Sequence, residues 1–281
     1  MVEPFARTIT SLHNPAVKLV RSLDRRKVRR AEGLFVAEGL KVIATGRDRG
    51  WAPRFLLMRD LMREDAGAGD ESGNDKRMSA ALIAWAARCG ASCLTLGEAA
   101  FAKVAARDNP QDLIAVFAQR WETLSPAAPG EKGVWVALEE VRDPGNLGTI
   151  VRTADAAGAK GVILVGTCCD PYSREAVRAT MGSIFTVPLA RMERDAFLAW
   201  RAAWPGAVVG AAPAADEDFR GRYREPVLLI MGGEGPGLSV ALAQTCTRRV
   251  RIPMTGSVDS LNLAIATALM LYEIRRDNLT S

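Results

Sequence analysis

Histidine is almost missing from this chain. Of 281 residues only His13 carries an imidazole. That excludes a serine–histidine–acid relay in the second half of the sequence and any metal site built on histidine. Cysteine is also sparse. Five thiols in a chain this long do not form a disulfide framework, and Cys168 and Cys169 are adjacent. Cys89 and Cys93 stand four apart, but no histidine or further cysteine completes a zinc set. Long apolar runs are lacking too. The longest, Leu263–Tyr272, is well short of the roughly 20 residues that span a bilayer. The N-terminus shows no apolar run of a signal peptide. These absences predict a soluble, cytoplasmic protein with reduced thiols, no membrane partner and no metal.

What is present is a large apolar fraction, 48% of the residues, in a length that accommodates two domains. The charge balance is basic, 37 Lys and Arg against 32 Asp and Glu. Part of the excess is concentrated at Arg25, Arg26, Lys27, Arg29 and Arg30. Such a cluster favours a polyanion, most often nucleic acid, although a solvated helix face would read the same way.

The pattern along the first half is a basic helix over 14–31, a strand Leu34–Ala37, a helix Glu38–Arg47 and a strand Arg54–Met58. A polar Gly/Asp-rich loop follows at 63–77. Then come a helix Ser79–Cys89, a strand Ser92–Leu96, a helix Glu98–Ala106 and a strand Leu113–Phe117. Alternation of this kind defines a small α/β unit. The stretch 124–133, with two prolines and two glycines, reads as a linker between domains 1–123 and 134–281. The second domain opens on the apolar strand Val134–Leu138. Further strands are expected at Val162–Val165, Phe185–Leu189, Ala207–Ala211, Val227–Met231 and Val250–Ile252. Apolar strands separated by helices imply a mostly parallel sheet covered on both faces.

Three strand–helix junctions in that domain carry polar or glycine-rich turns. In an open α/β sheet such turns are where ligands bind. The first is DPGNLGTIVRTADAAG, from Asp143. Asn146 there is either an N-cap or a site residue, and Arg152 either pairs with Asp155 or presents its guanidinium at the mouth of a site. The second, GGEGPG (232–237), directly follows a buried strand. It lacks the dinucleotide spacing G-x-G-x-x-G and the Lys-Ser/Thr of a phosphate loop. Glu234 within it disfavours a phosphate ligand, since like charges repel. A nicotinamide-type oxidoreductase is therefore disfavoured. The third turn leads from Pro253 into a helix over Leu261–Arg275, capped by Asp259 or Ser260. This helix is apolar nearly all round and should be buried, partly by a second subunit. Asn262 is its odd polar residue, with a local backbone bond as the plain alternative.

The three segments NLGTIVRTADAAG, GGEGPGLS and IPMTGSVDSLNLAIATALMLYE, in this order and context, resemble the signature motifs of the SpoU (TrmH-type) family of RNA ribose 2′-O-methyltransferases, within the SPOUT superfamily. The likeness covers residues 134–276. LDRRKVRRAEGLFVAEGLKVI (23–43) more weakly resembles the family's substrate-binding domain, which has a ribosomal-protein-like RNA-binding fold. The resemblance implies a deep trefoil knot and S-adenosylmethionine bound bent within it. Gly232, Ile252 and Leu261 would hold the cofactor, with Gly233, Gly237 and Met254 nearby. It implies catalytic roles for Asn146, Arg152, Glu234, Ser260 and Asn262. It also implies a homodimer through the C-terminal domain, with a site drawn from both subunits. The expected activity is methylation of a ribose 2′-hydroxyl in structured RNA, ribosomal RNA favoured over tRNA. The alternative is a non-catalytic RNA-binding or assembly factor of the same fold.

Overall fold

The computed structural model describes residues 8–60, 73–105, 113–124 and 133–279. The chain divides into two compact units, Met1–Gln119 with Tyr172–Phe185, and Arg120–Pro171 with Thr186–Ser281. The expected linker falls mainly on 125–132, outside the described residues, as does the 63–72 portion of the expected polar loop.

In the first unit Asn14 caps helix α1 (Pro15–Ser22), its side-chain oxygen accepting the Ala16 N–H at 2.9 Å. Pro15 suits the first helical turn, where its missing N–H costs nothing. The single basic helix expected over 14–31 is in fact two, with α2 at Arg26–Glu32 ended by Gly33 at φ +62. The break has a specific cause. Arg29 is 5% exposed, and its Nη1 donates to the Leu23 and Asp24 carbonyls at 2.7 and 2.8 Å. A continuous helix would have used those carbonyls internally.

The rest of this unit is β1 (Leu34–Glu38), α3 (Leu40–Asp48), β2 (Pro53–Arg59), α4 (Gly73–Arg88), β3 (Ser92–Leu96), α5 (Glu98–Val104) and β4 (Leu113–Ala118). α4 begins ahead of the expected Ser79, because 73–77 forms its polar, largely solvent-facing first turns. The sheet order is β1-β4-β2-β3, with β4 antiparallel to both neighbours and β2 parallel to β3. Val17, Val20 and Leu23 pack with Phe101 and Val104 of α5 in the core on one side of that sheet.

The second unit begins with β5 (Val134–Glu139), α6 (Pro144–Ala156) and β6 (Gly161–Val165). After α7 (Arg174–Ala179), which belongs to the first unit, come β7 (Leu189–Met192), α8 (Arg194–Ala202), β8 (Ala207–Ala211) and β9 (Glu217–Asp218). β10 (Val227–Met231), α9 (Val240–Ala243), β11 (Arg248–Arg251) and α10 (Leu263–Arg275) complete it. Seven strands run in the order β7-β6-β5-β10-β8-β11-β9, every pairing parallel. The strands of its centre are fully buried, which is why they read as continuous apolar runs. No strand forms at Phe185–Leu189. Ser183–Phe185 is a 3-10 turn, the Phe185 carbonyl accepts the Trp51 Nε1–H at 3.0 Å, and β7 starts only after Pro188. Proline lacks the N–H that a strand interior needs.

α10 packs on α6 and is not buried all round. Thr267, Met270, Leu271 and Ile274 face inward. Ile265, Leu269 and Tyr272 are 53%, 40% and 48% exposed, an apolar stripe open along one side of the helix, and Leu261, just ahead of its cap, is 37% exposed. Among the described residues no helix is long and apolar enough to cross a membrane.

Candidate active site

β5, β10, β8 and β11 are successive neighbours in a parallel sheet, so their carboxyl ends open on one edge. The turns that leave three of these strands are the three polar or glycine-rich segments of the sequence. The second and third of them line a pocket of about 370 Å³, and the first joins them through Asn146, which does not line the pocket but hydrogen-bonds Glu234 and Asn262 of its lining. Gly232, Gly233, Gly237, Ile252, Met254 and Leu261 all line it. So do Glu234, Ser260 and Asn262. The volume lies within the roughly 300–1,000 Å³ usual for small-molecule sites.

The GGEGPG segment doubles back on itself. The Gly237 N–H donates to the Gly233 carbonyl at 3.1 Å, with Gly237 at φ +68. A Cβ on Gly232 would collide with the backbone of Gly237 and Leu238, so no other residue fits there without opening the loop. The tight-turn reading and the ligand-loop reading are thus the same geometry: a closed turn whose backbone edge forms a pocket wall.

A chain of polar side chains runs along the rim, and its direction is fixed from both ends. The helix cap is Asn262, not Asp259 or Ser260. Its Oδ1 accepts the Ala264 and Ile265 N–H groups at 2.9 and 3.3 Å. That leaves its Nδ2 as donor, and it donates to Asn146 Oδ1 at 2.9 Å. Asn146 Nδ2 then donates to Glu234 Oε1 at 3.0 Å, and Glu234 Oε2 accepts the Arg142 backbone N–H at 2.9 Å. Every link follows from the backbone donors at the two ends: the α10 N–H groups take the Asn262 amide oxygen, and the Arg142 N–H takes one oxygen of the Glu234 carboxylate, which as an acceptor-only group also receives the Asn146 amide. Burial acts to raise the Glu234 pKa, but the bonds from the Arg142 N–H and the Asn146 amide outweigh it, and the carboxyl titrates below its ordinary value of 4.5. Asn146 is not the cap of α6. Asp143 is, accepting the Asn146 N–H at 2.5 Å. This frees the Asn146 side chain for the rim. Ser260 Oγ bonds Asp259 at 3.4 Å.

Arg152 stands apart. It does not line the pocket, is exposed, and makes no hydrogen bond or ion pair with Asp155 or any other described residue. Of the five basic residues singled out in the first unit, Arg25, Arg26, Lys27 and Arg30 are exposed, whereas Arg29 is buried against carbonyls. Arg29 is therefore removed from any surface footprint: its burial and both hydrogen bonds serve the α1–α2 junction.

Two features carry no sequence signal. Ala211, Ala212 and Pro213 line the pocket because β8 sits next to β10, an adjacency that only the sheet order sets. Glu139, 3% exposed, accepts the Ser239 N–H at 2.9 Å and the Arg194 Nε–H at 3.1 Å. It ties the far end of the glycine loop to β5, and in sequence it looks like one more acid at a strand end.

Fold and pocket together define an α/β unit that binds a small molecule at the carboxyl edge of a parallel sheet. Among the described residues, the one ionisable side chain lining the pocket is a carboxylate, Glu234. That chemistry suits a cationic ligand and opposes a phosphate-bearing one. Comparison with known proteins narrows the class. Residues 133–272 match the SpoU rRNA Methylase family, and residues 14–115 match the MRM3-like substrate binding domain. A 23S rRNA (uridine(2479)-2′-O)-methyltransferase of Streptomyces viridochromogenes is 32% identical over 284 residues, covering 99% of this chain and 94% of that protein. The 23S rRNA (guanosine(2553)-2′-O)-methyltransferase RlmP of Bacillus subtilis is 28% identical, covering 96% of this chain and 99% of its own. Among solved structures, an AdoMet-bound rRNA methyltransferase from Sinorhizobium meliloti superposes with a TM-score of 0.85 at 42% identity, covering 99% of this chain and 100% of that one. The chain belongs to the SpoU rRNA methylase family.

Proposed function

We propose that this protein transfers a methyl group from S-adenosylmethionine to a ribose 2′-hydroxyl of ribosomal RNA. The observation that carries the proposal is the pocket at the sheet edge, whose lining combines closed glycine backbone, apolar walls and a single carboxylate. S-adenosylmethionine is a sulfonium, and it fits that charge pattern. Gly232, Gly233, Gly237, Ile252, Met254 and Leu261 would hold it, and bound there it supplies an activated methyl group.

The chain's own residues then have an orienting task. Holding hydroxyl and methyl donor in line lowers the barrier by roughly 7–11 kcal/mol. Asn146 and Asn262, their amides locked by the rim chain, orient the ribose together with Ser260. Glu234 keeps Asn146 in place. Arg152 grips the neighbouring phosphate and stabilises the alkoxide that develops on the 2′-oxygen. A guanidinium holds its proton too firmly to act as a base.

Arg152 reaches this position from a second copy of the chain. Its isolation from the pocket and the open stripe Ile265–Leu269–Tyr272 support a homodimer built on α10. The knot belongs to the same proposal. β10 enters the sheet between β5 and β8, a late insertion that suits a threaded chain.

The test is incubation of the purified protein with bacterial ribosomal RNA and methyl-labelled S-adenosylmethionine, with the labelled position mapped. Label on a ribose 2′-oxygen is the expected result. Label on a base, or none, overturns the proposal. Arg152→Ala should abolish transfer while cofactor affinity changes little, and a collapse of cofactor binding would place Arg152 in the pocket instead.

A further inference from the structure

We infer that the first unit holds its RNA in a basic cleft between α1, the start of α2 and α5, so that the phosphate-binding surface is not the face of α2 alone. The inference rests on the reading of the protein as an RNA methyltransferase. The stretch 14–32 contains seven Lys and Arg against two acids, a net charge of +5, equal to that of the whole chain. The fold does not spread this charge evenly. Lys18 and Arg21 share one face of α1, Arg25 stands at the cap of α2, and Lys103 joins them from α5, which packs beside α1. Together with Leu19, Ser22 and Asp24 they line an open concavity of about 640 Å³.

Three observations favour a polyanion in it. The four cations are exposed, and none of their side chains has a hydrogen bond or ion pair among the described residues. The one acid in the lining, Asp24, is already engaged, accepting the Arg174 Nε–H at 2.5 Å. The carbonyls at the C-terminal end of α1, which would repel a phosphate, are neutralised from beneath by the buried Arg29 guanidinium. Arg29 thus serves the cleft without touching its ligand. The lining lacks an exposed large apolar side chain, which a lipid-surface anchor would need. RNA phosphates match both the charge and the open, polar shape.

The test uses protein-free bacterial 23S rRNA as probe, in filter binding from about 50 to about 200 mM salt. The variant is Lys18→Gln/Arg21→Gln/Lys103→Gln, with Arg21→Gln alone as a milder form. A control pair on another helix is Lys76→Gln/Arg77→Gln. The triple variant should bind at least about tenfold more weakly at low salt, with a log–log slope reduced by about 2, and Arg21→Gln by somewhat under 1. The control should leave the slope unchanged, and cofactor affinity should be the same in all. An unchanged slope in the cleft variants, or an equal loss in the control, overturns the cleft while leaving the methyltransferase reading intact. Absence of rRNA binding by the unaltered protein overturns both.

Discussion

Glu234→Gln tests the rim chain at its weakest point. The carboxylate accepts two donors at once, Asn146 Nδ2 at 3.0 Å and the Arg142 N–H at 2.9 Å. Glutamine offers one acceptor oxygen, and its NH₂ must then face a donor. Rotating the Asn146 amide does not relieve this, because it turns the Asn146 NH₂ toward Asn262 Nδ2, whose own direction is set by the α10 N–H groups. One link is lost in every arrangement. A hydrogen bond to a charged acceptor contributes about 1.5–3 kcal/mol, and partial access of water reduces the loss to about 1–2 kcal/mol. Thermal melting should fall by about 2–8 °C. Turnover should drop on the order of tenfold to a hundredfold, because a rim amide loses its orientation. Cofactor affinity should change less, since in the proposed mode of binding it rests mainly on backbone and apolar walls. Glu234→Asp, still an acceptor at both oxygens, should recover part of the turnover. The pH response adds an independent readout. The folded pKa of Glu234 lies below 4.5, so its contribution is present above about pH 4.5 and fades as pH falls through the folded value. The glutamine variant should lack that component. Unaltered melting and turnover in Glu234→Gln would refute the claim that the chain orients the site.

Three further outcomes are expected. Gly232→Ala forces the glycine turn open against the Gly237 and Leu238 backbone, and calorimetric titration should find cofactor affinity reduced at least about a hundredfold, some 2.8 kcal/mol. Arg29→Met leaves the Leu23 and Asp24 carbonyls without their donor, so denaturant unfolding should register a loss of about 2–4 kcal/mol, larger than for neutralising the exposed Arg30. Ile265→Glu on the open stripe of α10 should give a folded monomer in sedimentation, with methyl transfer lost, whereas a dimer of normal mass would exclude this helix from the interface.

The sequence by itself determined the α/β character of the chain, the boundaries of most buried strands and the two segments that line the pocket, but not that Tyr172–Phe185, expected in the second domain, belongs to the first compact unit. Residues such as Val227–Met231 are apolar on both faces because the strand is covered on both sides, and that requirement is written locally. Gly232 and Glu234 were legible for the same reason, since their oddity lies in their immediate context. Tertiary structure decided the rest. It set the strand order that brings Ala211–Pro213 to the pocket, and the direction of the Asn262–Asn146–Glu234 chain, which depends on partners up to 116 positions apart. It turned Arg29 inward while its neighbours stayed in solvent, a choice made by unsatisfied carbonyls and not by charge pattern. It also left one side of α10 uncovered, because an apolar helix reports only that burial is needed and not which surface provides it.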